Sequence, residues 1–205
     1  MVTIRVLKSL LFVAGTSTSL AAQVPVAVGL QVDASDARIR GVSPTLATAD
    51  LVGGRGSALF GPLRLSLVYR EGRLRLGATQ PLLVEGWATA DVQLLPWLRV
   101  GLGPGARAYQ LDSTTLRREW LAGRVGLDVP LIGRAVRADL RLWRSFVTFP
   151  PGTELTRAEG GEVGIAYWSP VGVWIGLATT FDDMAFLDQR HERLTGLRLG
   201  MGIGR

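Results

Sequence analysis

The stretch "VGIAYWSPVGVWIGLATTF", residues 163–181, has no charged side chain in its nineteen positions. Its length alone would let it cross a bilayer as one α-helix, which needs about 20 apolar residues. Its composition predicts something else. Ser169-Pro170 falls near the middle, and proline lacks the N–H that a helix interior requires. Gly164, Gly172 and Gly176 weaken a helix further, whereas Val, Ile, Tyr and Trp suit a pleated strand. As strands, Val163, Ile165 and Tyr167 share one face, and Glu162, Gly164 and Ala166 the other. After the turn, Val171, Val173, Ile175 and Leu177 oppose Gly172, Trp174 and Gly176. The stretch therefore reads as a β-hairpin.

The same period of two runs outward in both directions. Upstream, Val24, Val26, Val28, Leu30 and Val32 oppose Pro25, Ala27, Gly29, Gln31 and Asp33. Leu63, Leu65, Leu67 and Tyr69 oppose Arg64, Ser66 and Arg70. Leu74, Leu76 and Ala78 oppose Arg73, Arg75 and Thr79. Val84, Ala88, Val92 and Leu94 oppose Glu85, Thr89, Asp91 and Gln93. Leu98, Val100 and Leu102 oppose Arg99, Gly101 and Gly103. Leu121, Val125, Leu127 and Val129 oppose Arg124, Gly126 and Asp128. Val136, Ala138, Leu140 and Leu142 oppose Arg137, Asp139 and Arg141. Downstream, Leu197, Leu199, Met201 and Ile203 oppose Arg198, Gly200, Gly202 and Gly204. Ten segments result, so an antiparallel barrel of eight to ten strands is expected, ten preferred. Compact turns are expected at Glu71-Gly72, Pro96-Trp97, Ile132-Gly133 and Ser169-Pro170. Longer polar connections are expected at 35–55, 111–117, 148–159 and 182–192, with a short one at 80–83. Pro104 interrupts a strand reading.

Composition narrows the class. Of 205 residues 47% are hydrophobic and 20% charged, which is too apolar for disorder. There is no cysteine, so disulfides, thiolate metal sites and a cysteine nucleophile are excluded. The net charge is +6, and Lys8 is the only lysine beside 22 arginines. The arginines alternate with leucine, as in "RLRL" at 73–76, and form no basic patch for nucleic acid. Residues 1–22 read as a secretory signal peptide: Arg5 and Lys8, an apolar run from Leu10 to Gly15, then small residues up to Ala22. Residues 23–205 are expected to form the mature barrel.

Alternation does not say which face is inside. A soluble lipocalin-like barrel puts its apolar face inward, and a transmembrane barrel does the reverse. Glycine favours the second, because Gly29, Gly77, Gly101, Gly103, Gly126, Gly164, Gly172, Gly176, Gly200 and Gly202 all fall on the polar face. A crowded lumen needs small residues beside large ones. That face also carries both signs: Arg64, Arg73, Arg75, Arg99, Arg124, Arg137, Arg141 and Arg198 with Glu85, Asp91, Asp128, Asp139 and Glu162. Two aromatic girdles are expected. Tyr69, Trp97 and Tyr167 lie near the compact turns; Phe60, Trp120, Phe146, Phe149 and Phe181 lie near the longer connections.

On these features the chain resembles small bacterial outer-membrane β-barrel proteins of the OmpA/OmpX-like class. The resemblance covers residues 23–205 and implies a closed up-and-down barrel in the outer membrane with lipid as its partner. Chains of that class commonly finish with an aromatic residue, and this one ends "LRLGMGIGR".

Chemistry-bearing residues are sparse. His191, the only histidine, lies among Asp182, Asp183, Asp188 and Glu192. A His/Asp pair at a barrel rim would resemble outer-membrane proteases of the omptin type, but a charged surface segment explains it as well. "GLGPG" at 101–105 lacks the Lys-Ser/Thr and the helix of a phosphate loop. No catalytic residue, cofactor site or metal site is expected, and the protein is read as a non-enzyme. A structural or surface-contact role through its loops comes first. A narrow anion-preferring channel, a soluble ligand-binding barrel and a rim hydrolase are the alternatives.

Overall fold

A computed structural model describes residues 25–204 except 41–44, 76, 77, 79, 111–114 and 150–153; the side chains of Asp33, 35–40, Thr45 and Leu46 are also outside the description. The expected signal peptide and the readings at Val24, Leu76, Gly77 and Thr79 thus fall outside the described residues.

Ten antiparallel strands close into a barrel. They are β1 (Val26–Arg40), β2 (Thr45–Phe60), β3 (Leu63–Arg75), β4 (Leu82–Leu95), β5 (Leu98–Gln110), β6 (Thr115–Ile132), β7 (Val136–Phe149), β8 (Leu155–Trp168), β9 (Val173–Phe186) and β10 (His191–Gly204). Each strand pairs with its sequence neighbours, and β1 closes the ring on β10 from Ala27↔Gly204 to Arg40↔His191. The 163–181 stretch is a hairpin turning at 169–172.

The stagger can be followed through inward-facing residues. Starting at Arg118 on β6, the cross-strand partners are Arg107, Glu85, Arg70, Gly53, Gln31, Gly200, Gly176, Ala166 and Arg137. The path returns to β6 at Pro130, 12 residues beyond its start. Such a shear tilts the strands to the barrel axis, typically by about 35–45°.

The count of ten arises by a different division of the chain from that expected. Residues 45–55 are not loop but most of β2. That strand carries small residues on both faces, with Ala47 and Ala49 against Gly54, Gly56 and Ala58, so no apolar alternation marks it. Glu71-Gly72 is not a turn. The chain runs through it, and the segment expected at 63–70 and residues 73–75 of the next belong to the single strand β3. The turn joining β2 to β3 is Gly61-Pro62, where Gly61 takes φ 59°, a region natural to glycine. The other expected connections are also mostly strand: 155–159 belongs to β8, 182–186 to β9, and 191–192 to β10. Pro104 lies within β5 facing outward, where the β4–β5 pairing skips from Trp87↔Gly105 to Ala90↔Leu102.

The apolar face is outside. Val26, Val28, Leu30 and Val32 on β1, Leu65 and Leu67 on β3, Ile175 and Leu177 on β9, and Leu197, Leu199, Met201 and Ile203 on β10 are all exposed. A continuous aliphatic wall is unfavourable in water and favourable in hydrocarbon. The orientation is the opposite of a lipocalin-like barrel. Aromatics bound the belt at both ends. Phe60, Trp97 and Tyr167 lie at the compact-turn end, and Tyr69, Phe146, Phe149 and Phe181 lie higher on their strands. Phe60 and Tyr69 have thus exchanged the girdles expected for them. Trp120 belongs to neither, because it points inward and is fully buried.

Inward tryptophans explain several glycines. A Cβ on Gly105 would lie 2.6–2.9 Å from the Trp120 ring, and one on Gly160 would lie 2.8 Å from Trp143. A Cβ on Gly202 would lie 2.8 Å from Trp174 Nε1. Each indole occupies the space that a missing side chain on a neighbouring strand leaves open.

Candidate functional site: the lumen

The lumen is stratified. Toward the end where the β1–β2, β3–β4, β5–β6, β7–β8 and β9–β10 connections lie, the loop end, two apolar clusters fill it. One holds Ala47, Ala49, Leu51, Leu74, Leu83, Tyr109 and Leu194. The other holds Trp120, Ala122, Leu155, Ala158, Met184 and Phe186, with Trp87 and Trp143 packed on it. Trp87 meets Trp120 and Trp143 edge-on at centroid distances of 5.2 and 4.6 Å, and Trp120 stacks on Trp143 at 5.9 Å.

Here the sequence pattern keeps its period but inverts its polarity. Leu74 is buried inside the barrel, while Arg73 and Arg75 point outward, opposite to the faces expected for them. Above the hydrocarbon belt the outside of the wall is water, so charge goes out and leucine goes in. Arg75 pairs there with Asp50, and Arg117 with Glu119.

Interleaved with the apolar clusters, ion pairs cross the lumen. Arg107, fully buried at 0% exposure, reaches Glu85 at 2.7 Å, Asp182 at 3.0 Å and Glu192 at 3.3 Å. Arg70 bridges Glu85 at 2.7 Å and Asp182 at 2.9 Å. Arg118 holds Glu192 at 2.7 Å, and its guanidinium lies over the rings of Phe186 and Tyr109 at 4.5 and 5.1 Å. Trp87 Nε1 donates to Glu85 at 3.1 Å. Six charged groups on β3, β4, β5, β6, β9 and β10 thus tie opposite walls together. Three arginines meet three carboxylates, so most of the charge is paired where it is removed from water.

Sequence reading missed four of the six groups in this layer. Arg107 and Arg118 lie beyond the segments read as strands. Asp182 and Glu192 were grouped with His191 as one charged segment. Period two in fact splits that group. Asp182 and Glu192 face inward, whereas Asp183, His191 and Arg193 face outward at the rim. His191 Nδ1 lies 3.4 Å from Asp183 Oδ1, and Arg193 shares that carboxylate at 3.3 Å. Extending the alternation a few residues past each apparent strand end would have found the inward members.

Below the ion-pair layer the lumen opens into a cavity of about 490 Å³. Its lining runs down to Arg134 in the β6–β7 turn, which is exposed, so the cavity faces the compact-turn end. The expected lumen residues Arg64, Arg99, Arg124, Arg137, Arg141 and Arg198, with Glu85, Asp91, Asp128, Asp139 and Glu162, all line it, and Arg55 joins them. Glu162 serves three cations: Arg141 at 3.3 Å, Arg55 at 4.0 Å, and Arg198 in a short contact. Asp128 pairs with Arg137 at 2.6 Å and Arg99 at 3.6 Å. Among the described residues no group of three or more His, Cys, Asp or Glu is placed to hold a metal ion.

Comparison with solved structures returns β-barrels. The chain is similar to the translocator domain of autotransporter NalP from Neisseria meningitidis at 13% identity and TM-score 0.47, covering 98% of this chain and 94% of that one. It is also similar to Neisserial surface protein A at 14% identity and TM-score 0.41, covering 86% and 96%. A third similarity is to the N-terminal barrel domain of Pseudomonas aeruginosa OprF, at 15% identity and TM-score 0.34, covering 85% and 97%. These are barrels of the outer-membrane class. No protein-family model matches the chain, and no curated protein matches it.

Proposed function

We propose that the protein resides in a bacterial outer membrane as a sealed barrel, with a structural and surface-contact role rather than that of a diffusion pore. One observation carries this reading: Arg107, without solvent exposure, bridges carboxylates from three other strands across the lumen beside two apolar clusters. A hydrated ion would have to break several buried pairs to pass. The outward ion pairs at the loop end, Arg144–Glu159 at 3.6 Å and Arg193–Asp183 at 3.3 Å, support a rim suited to polar contacts outside the bilayer. We read His191–Asp183 as part of that rim and not as a catalytic dyad. Outer-membrane lipid is the partner assigned to the aliphatic belt. Val26 and Gly204 both lie at the compact-turn end, which we place toward the periplasm.

Planar-bilayer recording tests this. The refolded wild-type chain is expected to give no sustained conductance steps at neutral pH. A steady anion-selective current through the wild type would favour the channel reading instead.

A further inference from the structure

We propose that the cavity at the compact-turn end is a binding site for a compact phosphate-class oxyanion, either free or as the head of a small phosphomonoester. It is a site separate from the rim and from any passage through the lumen.

Charge makes the first argument. Among the described residues nine arginines and six carboxylates line the cavity, leaving an excess of three positive charges. Pairing within the lining does not remove the excess. Arg64 and Arg124 have no ion pair within 4.0 Å among the described residues, and Arg64 Nε is buried without a hydrogen-bond partner. Arg141 lies within electrostatic range of Arg55, Arg64, Arg99 and Arg124, so these cations repel one another across the cavity. The surrounding wall is aliphatic, and hydrocarbon outside it would leave this field poorly screened. An anion of more than one charge neutralises the excess. Planar guanidinium groups suit an oxyanion because they donate two parallel N–H bonds to it.

Gln31 makes the second argument and selects among oxyanions. It is 2% exposed, lines the same cavity, and both its Nε2 and its Oε1 lack any hydrogen-bond partner. A buried amide left with both ends unsatisfied costs free energy that a ligand can recover. Nε2 donates to an oxyanion oxygen. Oε1 needs a donor, which a fully ionised sulfate does not have. The hydrogen phosphate dianion has a P–OH, and a phosphomonoester can have a hydroxyl. The cavity of about 490 Å³ has room for more than the phosphate alone.

Calorimetric titration of the folded full chain in a neutral detergent at low chloride tests the site, with inorganic phosphate, glycerol phosphate and sulfate as probes. Saturable phosphate binding is expected near one per chain, with sulfate at least 5-fold weaker. Arg64→Gln/Arg124→Gln is expected to weaken phosphate at least 10-fold. Gln31→Leu should bring phosphate and sulfate within 2-fold of each other. Arg117→Gln, on the outer wall, should change affinity less than 2-fold. Tighter binding of glycerol phosphate than of phosphate would assign the remaining volume to an organic tail; equal binding would assign the site to phosphate itself. Gln31→Leu removes no charge, so it tests the site even if the double arginine variant fails to refold. Non-saturable phosphate heats in the wild type would overturn the proposal. So would unchanged affinity in both luminal variants, or equal loss in Arg117→Gln.

Discussion

Replacing Arg107 with alanine is expected to lower unfolding stability by about 3–5 kcal/mol, the usual cost of removing one partner from a buried ion pair. The guanidinium meets Glu85, Asp182 and Glu192 at 2.7–3.3 Å and is fully buried. Without it, Arg70 and Arg118 remain as the only other cations in contact with those three carboxylates among the described ion pairs. Arg107→Lys should recover little, because one ammonium cannot reproduce a fork that serves three acceptors. Neutralising a carboxylate as well, as in Arg107→Ala/Glu85→Gln, should cost less than the sum of the two single changes, since the residues act as one network. Urea unfolding in lipid vesicles, followed by tryptophan emission, measures this. A loss under 1 kcal/mol would show that the layer is not a buried structural element.

Leu199→Arg is expected to cost about 2–4 kcal/mol, the cost of a cation on the lipid face near mid-bilayer. Leu199 is 47% exposed, lies at the centre of the outward run Leu197–Ile203, and pairs across the strands with Val32 and Leu177, both also outward. Arginine at that depth must bend toward an interface or draw water inward. Leu140→Arg should behave alike, since Leu140 sits between Leu127 and Val163 in the same belt. Refolding yield and urea midpoints in vesicles report the effect. Stability equal to wild type would place these leucines away from hydrocarbon.

Residues 63–67, 84–102, 121–142, 163–177 and 197–203 were readable because one rule governs them: lipid on one side, a charged lumen on the other. The rule fails where the surroundings change. At the loop end, Leu74 turns inward and Arg73 outward, because water replaces lipid and side chains replace the lumen. The phase of the alternation survives, but its polarity does not, and a reader of polarity loses the strand. β2 was hidden for another reason. Its alanines and glycines are small on both faces, and the barrel places Gly53 and Gly72 where neighbouring backbone leaves no room for a Cβ. Splitting β3 and omitting β2 offset one another in the strand count. The polar face of the cavity was legible through Arg64, Arg99, Arg124 and Arg141. The layer above it was not, because Arg107, Asp182 and Glu192 lie on strand extensions that look like loop by composition.

The orientation of the wall can be measured residue by residue, since the cysteine-free sequence accepts single cysteines without background. Nitroxides placed in turn at positions 197 to 203 of the refolded protein in vesicles report collision with oxygen, which partitions into lipid, and with a water-soluble nickel chelate. Oxygen access should be high at 197, 199, 201 and 203 and low at 198, 200 and 202. The reverse phase, or no alternation at all, would contradict a barrel that faces hydrocarbon with its leucines and encloses its arginines.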